Sequence, residues 1–159
     1  MIPLRGPAEI ASKLEVAAAE RLLLVDAPPE FARLLEAAAA SPDRSLRMSE
    51  ARAIRSVKDS FDWILLWQES RVGSRALFEQ AVKRLDPTGR LWVVTAMKKV
   101  QGPRTPAGER LEADDLRKGF AKEGLLGDRE ARLSAWHVAY RFTRGDGGEP
   151  TRRTGRSGP

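Results

Sequence analysis

The sequence predicts an α/β domain: a mostly parallel sheet covered by helices on both faces, ended by an antiparallel hairpin. Three observations carry this. Phe61 to Trp67 reads FDWILLW, with six of seven residues apolar. It is too continuous for a strand with one wet face and too short for a helix that must end at Glu69-Ser70-Arg71, so it reads as a central strand buried on both sides. Leu22-Leu23-Leu24-Val25 and Leu91-Trp92-Val93-Val94 repeat the pattern. Stretches of helical period separate these runs, and strand–helix units in series give right-handed crossovers and a parallel sheet.

In chain order, Pro7 suits the first turn of a helix, where its missing N–H is not needed. Ile10, Leu14, Ala17 and Ala18 share one helical face, and that helix is expected to run to Arg21. Leu22–Val25 is the first strand, closed by Asp26. Ala27-Pro28-Pro29-Glu30 turns out of the sheet, with Pro29 starting a helix. Phe31, Leu34, Leu35 and Ala38 face the sheet, and the helix stops before Pro42.

The segment from Ser41 to Ser60 carries Arg44, Arg47, Arg52 and Arg55 and few large apolar residues. One edge strand belongs here, around Leu46–Met48 or Ala53–Val57, and the second is favoured, since charges are tolerated at an edge. After the central strand, Val72, Ala76, Leu77, Ala81, Val82 and Leu85 form a helical stripe. Asp86-Pro87-Thr88-Gly89 is a turn signal before the strand Leu91–Val94.

Glycines and prolines make Met97–Gly108 a loop. Leu116 and Phe120, with Ala113, mark a further helix; Asp114 and Asp115 suit its first turn and Gly124 its stop. Glu130–Leu133 and His137–Phe142 alternate in polarity, which reads as an antiparallel hairpin at a sheet edge. The expected organisation is one domain over residues 1–143 and a disordered basic tail over 144–159, rich in Gly, Pro, Arg, Thr and Ser.

Composition narrows the chemistry. The 159 residues include no cysteine, which removes disulfides, thiolate metal sites and thiol nucleophiles. No stretch longer than eight residues avoids Lys, Arg, Asp and Glu. That leaves no transmembrane helix or secretory signal, and the expected location is cytoplasmic. The net charge of +6 is spread among interspersed anions, so a solvated arginine-rich surface is favoured over a nucleic-acid track.

The ordered series with a terminal hairpin resembles the class I methyltransferase version of the Rossmann fold, a three-layer sandwich. More narrowly, the chain resembles a family of short bacterial proteins of unknown function. The resemblance rests on Leu24-Val25-Asp26-Ala27-Pro28-Pro29-Glu30-Phe31, on Phe61–Trp67 with Ser70-Arg71, on Leu91-Trp92-Val93 with Lys98-Lys99, and on Trp136 before Val138–Phe142. It covers about residues 7 to 143 and implies the fold rather than an activity.

Ligands of such sheets bind beyond the C-terminal ends of the strands. Asp26, Ser70, Arg71, Lys98 and Lys99 fall there, and together they form a candidate anion site for a phosphate, a carboxylate or an acidic partner. Each also has a plain structural role: Asp26 as a helix cap or turn former, Ser70 as a helix cap, the lysines as solvated loop residues. A nucleotide or S-adenosylmethionine loop normally uses glycines, and none lies between Gly6 and Gly73. Nor is there a clear acid at the end of a second strand to hold ribose hydroxyls.

His137, the one histidine, is read as structural or exposed. No metal site and no cofactor are expected. The sequence therefore favours a non-catalytic binding or interaction module. A divergent S-adenosylmethionine-dependent methyltransferase or nucleotide-binding enzyme is the alternative, and a nucleic-acid-associated protein, through the tail and the 44–55 segment, a weaker one.

Overall fold

A computed structural model describes residues 2–144. Six strands form one sheet in the order β2-β1-β3-β4-β6-β5. The strands are β1 (Arg21–Val25), β2 (Ser45–Ser49), β3 (Phe61–Trp67), β4 (Leu85–Ala96), β5 (Leu125–Arg132) and β6 (His137–Arg144). The helices are α1 (Pro7–Lys13), α2 (Pro29–Ala39), α3 (Ser74–Lys83) and α4 (Ala113–Ala121). β1 pairs in parallel with β2 and β3, and β3 with β4; β6 runs antiparallel to both β4 and β5. This is the three-layer α/β sandwich that the buried runs predict.

Alternate residues of the central strands feed two cores. Leu22, Leu24, Trp63, Leu65, Trp67, Trp92 and Val94 pack with Ile10, Phe31 and Leu35 of α1 and α2. Leu23, Val25, Ile64, Leu66, Leu91 and Val93 pack on the other face with Leu77, Phe78, Leu116 and Phe120 of α3 and α4. The period-two side-chain alternation of a strand thus explains why these runs need apolar residues at every position.

Five expectations are corrected. The second strand is Ser45–Ser49, at the less favoured of the two expected stretches, and Ala51–Ser56 is a 3₁₀ helix. A main-chain ladder to β1, from Arg21↔Ser45 to Val25↔Ser49, fixes an exposed segment that hydrophobicity cannot mark. The first helix stops at Lys13, with Glu15 left-handed at φ 60°. There Glu15 receives Arg141 at 2.7 Å, Arg90 at 3.3 Å and Arg129 at 3.4 Å, an ion cluster drawn from β4, β5 and β6. Val72 is 75% exposed, because α3 begins only at Ser74.

The fourth concerns Asp86–Gly89, which lies within β4 rather than ahead of it. Phe61↔Leu85 and Trp63↔Arg90 are partners, so the segment loops out of the ladder as a bulge. At the C-terminal end, Arg144 belongs to β6, and its guanidinium donates to the Val82 and Leu85 carbonyls. Arg144 is thus part of the sheet, and the rest of the tail expected over 144–159 lies outside the described residues.

Candidate functional site

β1 connects outward to β2 on one side, and β3 follows on the other. The β1/β3 boundary is therefore the topological switch point, where open α/β sheets bind ligands. A cavity of about 540 Å³ opens at that point, within the size range of small-molecule sites. The β1–α2 turn, the residues after β3, the loop after β4 and the β5–β6 turn line it. A second cavity of about 410 Å³ lies over the ends of β1 and β2, lined by Ala27, Ala32, Met48, Ser49 and Glu50. Asp26 borders both.

Asp26 is left-handed at φ 57°, a conformation usually left to glycine. Two bonds hold it there. Its N–H donates to the Ser49 carbonyl at 3.0 Å, and its carboxylate accepts the Ala51 N–H at 3.0 Å. Asp26 is thus a turn former and not a cap of α2, whose N-cap position is Pro28. The tight turn that the missing glycines would make is made by an aspartate.

Glu69 stands two residues after β3 and faces His137 across the cavity wall. Its Oε2 lies 2.6 Å from His137 Nε2, and its Oε1 accepts the Thr105 N–H at 3.3 Å. His137 is 1% exposed. Its Nδ1 lies 3.2 Å from Ser134 Oγ, which also accepts the backbone N–H groups of Trp136 and His137, each at 3.0 Å. A carboxylate only accepts, so His137 Nε2–H donates to Glu69. Burial works against charge on Glu69, but hydrogen bonds from His137 and Thr105 outweigh it and hold its carboxyl below the ordinary value.

Aromatic rings complete the wall. Trp67 stacks at a tilt on His137, centroids 4.9 Å apart, and on Phe31 at 5.0 Å. Gly102, at φ 120°, brings backbone against the Trp136 ring; a Cβ there would sit 2.3 Å from the indole. Arg110, 5% exposed, anchors this loop by donating to the carbonyls of Met97, Val100 and Thr105, each at 2.8 Å. Backbone bonds from Arg71 to Glu109 and from Leu111 to Glu69 tie the residues after β3 to the same loop.

The five residues singled out from sequence do not converge. Asp26 and Ser70 line the switch-point cavity. Ser70 Oγ accepts the Val72 N–H, closing a turn rather than capping α3. Arg71 turns away, donating to the Gly108 carbonyl at 3.0 Å and pairing with Asp115 at 3.4 Å. Lys98 is exposed and pairs with Glu112 at 3.5 Å, and Lys99 is exposed. The cavity itself carries three carboxylates, Asp26, Glu30 and Glu69, against one guanidinium, Arg104. Its lining is acidic, the reverse of the anion site expected.

Two features were missed. Glu50 directly follows β2; with the strand expected at 53–57, this acid fell before it instead of at its end. The Glu69–His137 pair spans 68 residues, so no local spacing reveals it. The available signals were Glu69 at the end of the apolar run and Ser134 three residues before the lone histidine.

No family model and no curated protein matches the chain. Solved structures do match it. An O-methyltransferase from neocarzinostatin biosynthesis, in complex with S-adenosyl-L-homocysteine and 1,4-dihydroxy-2-naphthoic acid, superposes with a TM-score of 0.65 at 12% identity. That match covers 86% of this chain and 52% of the other, so the chain spans about half of that enzyme's length. A SAM-dependent methyltransferase from Aquifex aeolicus gives 0.66 at 13% identity, covering 87% and 90%. The N-methyltransferase NodS from Bradyrhizobium japonicum WM9, with S-adenosyl-L-homocysteine, gives 0.55 at 15%, covering 86% and 84%. The fold is methyltransferase-like. At these identities the likeness concerns the backbone, and the site must be read from this chain's own residues. Among the described residues, no helix is long and apolar enough to cross a membrane.

Proposed function

We propose that the chain binds S-adenosylmethionine at the C-terminal edge of β1, β2 and β3 and is a divergent methyltransferase domain. The observation that carries this is the pairing of a left-handed Asp26 at the end of β1 with Glu50 at the end of β2. An acid there, some twenty residues beyond the first turn, is where this class of sheet holds ribose hydroxyls. Leu24, Ala27, Ala32 and Met48 give the smaller cavity apolar walls suited to a purine, and account for the 44% exposure of Met48. The larger, acidic cavity suits the sulfonium and ammonium of the same molecule, and Arg104 its carboxylate. Bound there, S-adenosylmethionine supplies an electrophilic methyl group. The S-adenosyl-L-homocysteine complexes of two of the similar structures support the choice of ligand.

The test is calorimetry and thermal shift with S-adenosylmethionine and S-adenosylhomocysteine. Ligand at 100 times its dissociation constant adds about 2.7 kcal/mol of stability. Glu50→Ala should weaken binding roughly 10- to 100-fold, the worth of hydrogen bonds to a charged acceptor. A flat response at millimolar ligand would sink the proposal. Pro28 and Pro29 leave the first turn short of N–H donors, which favours a second reading, a binding module without turnover. Binding of both ligands with no methyl transfer to any acceptor would select it.

A further inference from the structure

Glu69 stands out on charge. Its side chain is 14% exposed and lines the switch-point cavity, and the basic group within salt-bridge reach, among the described residues, is His137. Two of its roughly four acceptor positions are filled, by His137 and by Thr105. The remaining positions belong to a group that lines the cavity, as do Trp67 and Trp136. Aromatic faces beside a carboxylate attract organic cations by both charge and ring quadrupole.

We propose that Glu69, with Trp67 and Trp136, forms a recognition site for an organic amine: a ligand with a cationic ammonium head and an apolar or aromatic body. Ser134 and His137 act as positioning residues that fix the carboxylate, and Arg110 anchors the loop that closes the site. The amine's place as a second ligand beside bound S-adenosylmethionine rests on the function proposed above; its binding alone does not.

The test uses the full chain without cofactor, titrated with tryptamine and benzyltrimethylammonium and, as neutral isosteres, 3-propylindole and neopentylbenzene. The cations should bind at least tenfold more tightly than the isosteres. Glu69→Gln, which keeps an oxygen for His137 but removes the charge, should abolish that preference. Trp136→Leu should weaken the cations severalfold and serves where Glu69→Gln melts below the assay temperature. Equal affinity for cations and isosteres, or no binding at millimolar concentration, overturns the proposal. A separate titration keeps it apart from the cofactor reading. If Glu69→Gln weakens S-adenosylmethionine but not S-adenosylhomocysteine, and the amines do not bind, the cation served is the cofactor's own sulfonium and the amine site is refuted. If the amines bind and neither cofactor form does, the amine site stands and the cofactor reading fails.

Discussion

Single residues in this chain act mainly through charge placed at strand ends. Asp62, the one polar residue in FDWILLW, accepts the N–H groups of Glu20 and Arg21 and fixes the start of β1 beside β3. Glu69 does comparable work at the other end of β3, and its effect on stability depends on pH. Its folded carboxyl sits below the ordinary value of 4.5, so it titrates later in the fold than in the unfolded chain. The sign follows from linkage: the contribution is fully present above the unfolded value and disappears as pH falls through the lower folded one. Urea unfolding of wild type and Glu69→Gln should therefore differ most near neutral pH, with the gap closing below about pH 4.5. A gap that stays constant down to pH 3 would show that the carboxylate's charge is not what stabilises the fold. The 2.6 Å contact with His137 was not legible beforehand, since it depends on a turn 68 residues away.

Elements divide by how much of their stability is local. α4 was legible because its signals sit within the element: Leu116 and Phe120 buried on one side, Asp114 and Asp115 in the first turn, Gly124 at φ 84° beyond its end. Asp115 also accepts the Glu112 N–H at 2.9 Å, satisfying a backbone donor at the helix start. Asp115→Ala should cost about 0.5–2 kcal/mol in chemical denaturation, the usual range for a lost N-terminal cap; a neutral result would mean that solvent satisfies that N–H equally well. β2 is the opposite case. None of its residues is buried, and its position is set by the ladder to β1, so composition left two stretches open and favoured the wrong one. That error reached the site, because Glu50 takes its meaning from being the residue after β2. α1 fails for a related reason: its apolar face continues past Lys13, but the arginines gathered around Glu15 end the helix first.

At the scale of the molecule, the sheet acts as a wall shared by two cores, and β3 contributes to both. Leu65 is fully buried among Trp63, Trp67, Trp92 and Leu35. Leu65→Ala should cost about 2–5 kcal/mol and lower the melting temperature by roughly 4–20 °C; differential scanning calorimetry checks it. A loss below 1 kcal/mol would mean that the surrounding rings collapse into the space, which close packing on both faces opposes. The sequence by itself determined the architecture, because a strand buried on two faces must be apolar throughout, and that requirement is written into consecutive residues. It also determined the hairpin and the chemistry excluded by the absence of cysteine. Only the tertiary structure decided the site. Asp26 with Glu50, and Glu69 with His137, are joined by strand order and by loops that Arg110 and main-chain bonds hold in place. Such pairings depend on distance in space, and residue spacing along the chain does not record it.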